Sequence, residues 1–460
     1  MKISIILAAG EGTRMKSNIP KVLHKVCNKP LLHHVISSCK NADIEKNIVI
    51  VGHEKEKIIE EFAHDELIFR EQAIGDDAPY GTGYAVMQGL DQVEDDSIVV
   101  ILCGDTPLIS EESLEKLIEY HSKEEFDATV LSAILEDVKG YGRIVRDENS
   151  NEILKIVEEK DASQEEKDIM EINSGTYCFN GKALKIALEK IDNDNSQNEY
   201  YLTDCISVLN EMNYKTGAYV IEDNEEILGV NSRLQLAQCD SIMRRRINEF
   251  HLNNGVSIVN PENTYIDNTV TIGADTIIYP GVSLEGSTSI GSGCIIRGDS
   301  RLVDSMIGDN VSISSTLVEE STIEEGSTLG PYAHLRPKSY LGKNVKIGNF
   351  VEVKNAKLMD NTKAGHLAYI GDADIGKDVN IGCGVIFVNY NGEKKFRTTV
   401  KDNAFIGSNS NLVAPVHIDE WSYIAAGSTI TRDVGEGELS IGRSKQSNIE
   451  GWVERKGLKT

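Results

Sequence analysis

The chain has 460 residues and a formal net charge of −26, spread unevenly: residues 1–230 carry 23 Lys and Arg against 46 Asp and Glu, and residues 231–460 carry 24 against 27. So acidic a surface repels nucleic acid and anionic membrane, so neither is an expected partner. No apolar run approaches the ~18 residues that span a bilayer, no signal-peptide cleavage region is visible, and the eight cysteines form no Cys-x-x-Cys pair, so a cytoplasmic protein with free thiols and no zinc is expected.

The first predicted element is a β-branched strand over residues 2–7, ending in Ala8-Ala9-Gly10. Further buried strands are predicted at 47–51 and 97–102, with helices between them at 30–39 and 83–90. Parallel strands with crossover helices, a Rossmann-like open α/β sheet, are the economical reading, with ligand beyond the carboxyl ends where Gly10 and Asp105 fall.

The loop over residues 7–15 is neither a dinucleotide fingerprint nor a Walker loop, because Met15 stands where the third glycine would be and no Gly-Lys-Ser/Thr follows. Its small residues still let backbone N–H groups approach phosphate oxygens. Within residues 1–40 seven basic side chains, Arg14 and Lys21 among them, face only Glu11. That island favours phosphate binding over a plain strand-to-helix turn. Asp105 ends a buried strand, where a carboxylate either holds Mg²⁺ or caps a turn.

Residues 232–253 have helical apolar spacing and are expected to link a first domain, 1–230, through a helix over 231–254 to a second domain, 255–460. There an aliphatic residue recurs every sixth position, through Ile266, Ile272, Ile278, Leu284, Ile290, Ile296 and Leu302. The series resumes from Leu317 to Met359, over Ile375, Ile381 and Phe387, and from Val400 to Ile430. This six-residue period is the signature of a left-handed parallel β-helix of hexapeptide repeats. Glycines at 273, 291, 330, 342, 348, 376, 382 and 407 suit turns with positive φ. The breaks at 363–369 and 389–397 read as loops thrown out from a coil, and His366 in the first is either a general base or an ordinary polar histidine.

Leu7-Ala8-Ala9-Gly10 with Gly12-Thr13-Arg14-Met15, Gly81-Thr82-Gly83, Gly104-Asp105, Gly140-Tyr141-Gly142-Arg143, Val157-Glu158, Glu171-Ile172-Asn173, Tyr201-Leu202-Thr203-Asp204, Gly229-Val230-Asn231, Lys363-Ala364-Gly365-His366 and Asn389-Tyr390 together resemble the bacterial bifunctional N-acetylglucosamine-1-phosphate uridyltransferase/glucosamine-1-phosphate acetyltransferase family over nearly the whole chain. The resemblance implies an N-terminal domain that makes UDP-N-acetylglucosamine from UTP and N-acetylglucosamine 1-phosphate with Mg²⁺, releasing pyrophosphate. It assigns Asp105 and Asn231 to the metal, and Leu7, Ala8, Ala9, Gly10 and Lys21 to the nucleotide. Gln72, Gly81 and Thr82 go to the uracil end, and Gly140, Glu158 and Asn173 to the sugar. Arg14 is placed at the transferring phosphate. The segment from Gln72 to Gly81 is longer here than in the family.

For the second domain the resemblance implies acetylation of glucosamine 1-phosphate from acetyl-CoA, with His366 as general base. Arg336, Lys354, Tyr369, Asn380 and Lys395 would hold the sugar phosphate. Cys383, Asn389, Tyr390, Ser408, Ala426 and Arg443 would contact acetyl-CoA, Cys383 standing where the family commonly has alanine. A homotrimer built through the β-helix is implied, as is a supply of sugar nucleotide to cell-envelope polysaccharide synthesis. The rival readings are a monofunctional sugar-1-phosphate nucleotidyltransferase with a structural β-helix, and a noncatalytic assembly subunit.

Overall fold

The computed structural model describes residues 1–75, 78–147 and 152–458. Asp76 and Asp77 of the longer segment, and Lys459 and Thr460 of the tail, lie outside the described residues. The chain divides into two compact units, Met1–Met243 and Arg244–Thr460, and the helix Arg233–Asn253 spans the division. Among the described residues no helix is long and apolar enough to cross a membrane.

The first unit is built on one sheet of nine strands: β1 (Lys2–Ala8), β2 (Lys46–Val51), β3 (Ile68–Glu71), β4 (Ile98–Cys103), β5 (Ala128–Ile134), β6 (Arg143–Arg146), β7 (Ile153–Val157), β8 (Glu171–Asn180) and β9 (Thr216–Val220). Their order is β9-β5-β8-β4-β1-β2-β3, with β6 against β8 and β7 against β6. Strands β4, β1, β2 and β3 are parallel, Ile5 lying opposite both Ile48 and Ile101. The strands expected over 2–7, 47–51 and 97–102 are thus parallel as read; β8, which was not among them, runs antiparallel to β4 and β5, with Tyr177 opposite Ile101 and Val130. A strand buried on both faces carries no mark of its direction, so composition could not separate the two arrangements.

Both faces of the sheet are covered, which explains the unbroken apolar runs of β1 and β4. Ile3, Ile5, Ile48, Val99 and Ile101 pack on one side with Leu184 and Leu188 of the helix Gly181–Leu188. Ile6, Val49, Val100 and Leu102 pack on the other with Val35 and Leu117, from the helices Leu31–Asn41 and Glu111–Lys123. The carboxyl ends of β1 and β4 are thereby fixed side by side.

The second unit is a left-handed parallel β-helix of hexapeptide repeats. Equivalent residues of successive coils pair in register, as Ile278 with Ile296, Ile323 with Leu341 and Ile406 with Ile424, and their side chains are buried along the axis. Each coil closes its backbone hydrogen bonds on the next, so length is added without enlarging a globular core.

Four details differ from the pattern read in sequence. Leu317 and Met359 are only half-buried, and Val318 and Leu358 take the inward positions. The spiral shortens to five-residue steps, for instance from Leu302 to Ile307 and from Val353 to Leu358, and runs on where the first break had been placed. The segment expected as a loop at 363–369 is strand, Lys363–Gly371, paired in parallel with Lys346–Lys354. Small Ala364 fills the inward position there and hides the repeat. Finally, of the glycines expected at positive φ only Gly330 is so (φ 93°). At the others the coils stack too closely for a side chain: a Cβ on Gly348 would sit 1.8 Å from the carbonyl oxygen of Gly365. Positive φ falls two residues later, at Asp275, Asn344, Asp378 and Asn409.

The 389–397 segment is a loop. Phe387 pairs with Leu412, a stride of 25 residues where neighbouring coils need 17 or 18, and the excess forms a small hairpin closed by a Tyr390–Lys395 bridge.

Candidate functional site

At the carboxyl ends of β1 and β4 a cavity of about 230 Å³ is walled by Leu7, Ala8, Ala9, Gly10, Lys21, Gln72, Gly81, Thr82, Cys103, Asp105 and Glu199. A second cavity of about 190 Å³ shares Leu7, Thr82 and Cys103 with it and is otherwise walled by residues including Gly140, Glu158, Asn173 and Thr203. The nucleotide and sugar residues expected from sequence thus fall into two adjoining spaces with a common wall.

Two glycines shape the entrance. Gly12 has φ 66°, and a Cβ there would lie 2.7 Å from Cβ of Lys21, so the loop can fold over the lysine stem only with glycine at this place. Gly81 has φ 125°, and its missing Cβ would meet the carbonyl oxygen of Tyr200 at 2.3 Å. Lys21, carried on the 3₁₀ turn Lys21–Leu23, points its ammonium at the Asp105 carboxylate and donates to Oδ1 of Asn231 at 3.3 Å. Arg14 donates to the same Asn231 oxygen at 2.9 Å. The backbone N–H of Val230 donates to the carbonyl of Asp105 at 2.9 Å, which locks Asn231 beside the aspartate.

Two hard oxygens, one from Asp105 and one from Asn231, therefore converge on a single cationic group. That donor set fits Mg²⁺, which takes few protein ligands and completes its shell with water and phosphate oxygens. Among the described residues no group of three or more His, Cys, Asp or Glu could hold a metal by itself.

In the second cavity, burial pushes the carboxyl of Glu158 above its ordinary value, opposed by the Thr203 hydroxyl, which donates to it at 3.4 Å. Asn173 donates to the hydroxyl of Tyr177 at 2.7 Å, and its Oδ1 accepts from the N–H of Gly175. Arg143, almost wholly buried, donates to the carbonyl of Tyr141 and pairs with Glu159 at 2.7 Å. It ties the Gly140 wall of the cavity to the Glu158 wall.

On the β-helix the expected residues form two groups. Lys354 lies beside Lys395, and that ammonium, with Arg336, pushes Lys354 below the ordinary lysine value. Three cations held together on the outside of a coil make a receptor for a dianion such as a sugar phosphate. The amide of Asn389 donates to Asp372 at 2.5 Å and to the hydroxyl of Tyr369 at 3.4 Å. The close fit of Tyr369 over Gly371 leaves no room for a Cβ, which would fall 2.5 Å from the tyrosine oxygen.

The second group is a column of coil corners. His366 is exposed and its Nδ1 lies 2.7 Å from Oδ1 of Asn349. Above it stand exposed Cys383, Ser408 and Ala426, linked coil to coil by backbone bonds from Gly384 to Leu367, Asn409 to Cys383 and Gly427 to Ser408. Arg443 approaches the last corner at Gly427. Asn380 pairs with Lys363 and Phe405, apart from the cation group, and Tyr390 donates to the carbonyl of Gly392 within its own hairpin.

Sequence reasoning missed Cys103 and Glu199 as cavity walls, Asp372 as the anchor of Asn389, and Asn349 beside His366. The last was findable, because 349 precedes 366 by one coil stride.

Residues 3–232 match the nucleotidyl transferase family, and residues 320–355 and 397–432 match the bacterial transferase hexapeptide repeats. Over 456 residues, 99% of this chain and 98% of the relative, it is 54% identical to the bifunctional protein GlmU of Clostridioides difficile and, with the same coverage, 54% identical to that of Alkaliphilus oremlandii. The GlmU of Listeria innocua is 48% identical over 454 residues, 98% of each chain. Identity of this extent, covering both the nucleotidyltransferase sheet and the hexapeptide coil, shows that the chain belongs to the bifunctional GlmU family of N-acetylglucosamine-1-phosphate uridyltransferases and glucosamine-1-phosphate acetyltransferases.

Proposed function

We propose that the two adjoining cavities of the first unit are the uridyl-transfer site, one taking UTP and the other N-acetylglucosamine 1-phosphate. The observation that carries this reading is the convergence of Lys21, Arg14, Asp105 and Asn231 at the mouth of a cavity floored by the Leu7–Gly10 backbone. The sugar-phosphate oxygen attacks the α-phosphate in line and pyrophosphate leaves. Catalysis is then mainly positioning and charge neutralisation. Lys21 and Arg14 draw phosphate oxygens into place, Gln72, Gly81 and Thr82 seat the base, and Gly140, Glu158 and Asn173 seat the acetylated sugar. Asp105 and Asn231 would hold Mg²⁺, which neutralises phosphate charge as it develops.

The β-helix acetylates glucosamine 1-phosphate from acetyl-CoA. In the proposed assignment Arg336, Lys354 and Lys395 hold the phosphate with Tyr369, and His366 removes a proton from the amine so that nitrogen can attack the thioester. Asn389, Tyr390 and the corners at Cys383, Ser408 and Ala426, with Arg443, line the path of acetyl-CoA. Asn380 stands outside the cation group of its own chain, which favours sites completed by neighbouring copies in a homotrimer. The product supplies the first unit, in a cytoplasmic enzyme feeding cell-envelope polysaccharide synthesis.

A single preparation given acetyl-CoA, glucosamine 1-phosphate, UTP and Mg²⁺ tests this when free CoA and pyrophosphate are followed separately. His366→Ala should stop CoA release from glucosamine 1-phosphate and leave uridyl transfer from supplied N-acetylglucosamine 1-phosphate intact, and Asp105→Ala the reverse. Loss of both activities in either folded variant contradicts separate sites.

A further inference from the structure

The corner that carries His366 is built twice. Gly348-Asn349-Phe350 and Gly365-His366-Leu367 occupy the same place on successive coils, with Asn349 and His366 in register and the residue after each at positive φ, 58° at Phe350 and 42° at Leu367. On the lower strand the inward side chains are Ile347, Val351 and Val353, and on the upper one Ala364, Ala368 and Ile370. The corner breaks strict alternation, so that Asn349 and His366 are both turned out of the core. Glycine at 348 allows the strands close contact: a Cβ there would overlap the carbonyl of Gly365, while one on Gly365 would meet nothing within 4 Å. Two side chains so stacked meet head to head, and Oδ1 of Asn349 lies 2.7 Å from Nδ1 of His366.

A carbonyl oxygen only accepts, so the bond takes a ring proton on Nδ1 and, in the neutral imidazole, leaves the lone pair on Nε2. We propose that Asn349 is a positioning residue for acetyl transfer, fixing the ring of His366 and the tautomer in which Nε2 accepts the proton of the attacking amine. This rests on His366 being the general base. The amine of glucosamine 1-phosphate gives its proton to Nε2 as nitrogen bonds to the acetyl carbon, and the thiolate of CoA leaves. Asparagine suits the place because it holds Nδ1–H without adding charge. The titratable groups on the coils packed against His366 are Lys346, Glu352 and Lys354 below, Lys363 and Tyr369 on its own strand, and Cys383 above. An aspartate at 349 would introduce a negative charge nearer to the ring than the carboxylate of Glu352, which stands opposite Tyr369.

Acetyl transfer should be measured against pH for the full-length chain and for Asn349→Ala, Asn349→Asp and His366→Ala, with uridyl transfer as the test of folding. Asn349→Ala should lower kcat about tenfold or more while KM for both substrates stays within about twofold. Asn349→Asp should keep most of kcat and move the acid limb of the profile upward by about 0.5–1 unit, because a carboxylate favours the imidazolium. If Asn349→Ala keeps kcat within twofold, or the acid limb of Asn349→Asp does not move, the positioning role is overturned. If His366→Ala itself retains acetyl transfer, the base assignment has failed instead, and the two failures are distinguishable in one set of curves.

Discussion

Gly12 offers a sharp test of how the first site is assembled, because its substitution by alanine perturbs geometry without touching a charge. The residue has φ 66°, where an L side chain costs roughly 1–2 kcal/mol. The new methyl would stand 2.7 Å from Cβ, 3.4 Å from Cγ and 3.5 Å from Cδ of Lys21, against about 3.5–4.0 Å for ordinary carbon contact. The lysine stem must therefore retreat by roughly 1 Å, and its ammonium loses Asp105 and Asn231, the latter now 3.3 Å away. A misplacement of that size at a site working by positioning costs on the order of 10²-fold in rate, about 2.7 kcal/mol of barrier. Pyrophosphate release by Gly12→Ala should fall by that factor. CoA release should stay unchanged as the internal control, and the urea unfolding of the first unit should weaken by about 1–2 kcal/mol. Uridyl transfer within threefold of the parent would refute the claim that this loop sets the lysine.

Three further outcomes are expected. Lys395→Ala should raise KM for glucosamine 1-phosphate about tenfold, more at low salt than at high, with little change in KM for acetyl-CoA, as initial-rate assays of thiol release would show. Burial, with Asp192 and Asp161 nearby, pushes the carboxyl of Asp204 up to about 6; because the folded state binds this proton more tightly than the unfolded chain, the contribution is present at low pH and lost as pH rises from about 4 through about 6. Asp204→Asn should accordingly stabilise the first unit more at pH 8 than at pH 5 in urea titrations. Chelation by EDTA should stop pyrophosphate release and spare CoA release, Mg²⁺ restoring the first; equal loss of both would contradict the metal assignment.

The parts of this protein legible in its sequence are those where one physical demand repeats. Ile278, Leu284, Ile290 and Ile296 announce a coil because each successive strand must bury an aliphatic group at the same place. The basic loop stands out because the seven cations of residues 1–40 are conspicuous in an acidic half. What escaped notice depended on exceptions to a pattern or on contacts remote in sequence. Ala364 hid a rung because it satisfies the rule with too little side chain. The glycines of the coil are ambiguous in sequence because positive φ and close stacking both call for glycine, and only the stacking of the folded coils separates the two. Arg143 and Glu159 revealed no partnership until β6 and β7 were folded against each other.

The column of corners running from Asn349 through His366 to Cys383 and Ser408 means that chemical neighbourhood on this half of the molecule is measured in strides of a coil. A residue 17 positions away is a closer companion than one three positions along the same strand. Substitutions accumulating here in related chains should therefore compensate one another at coil distance, and a change at position 366 should be sought in its history beside changes at 349 and 383.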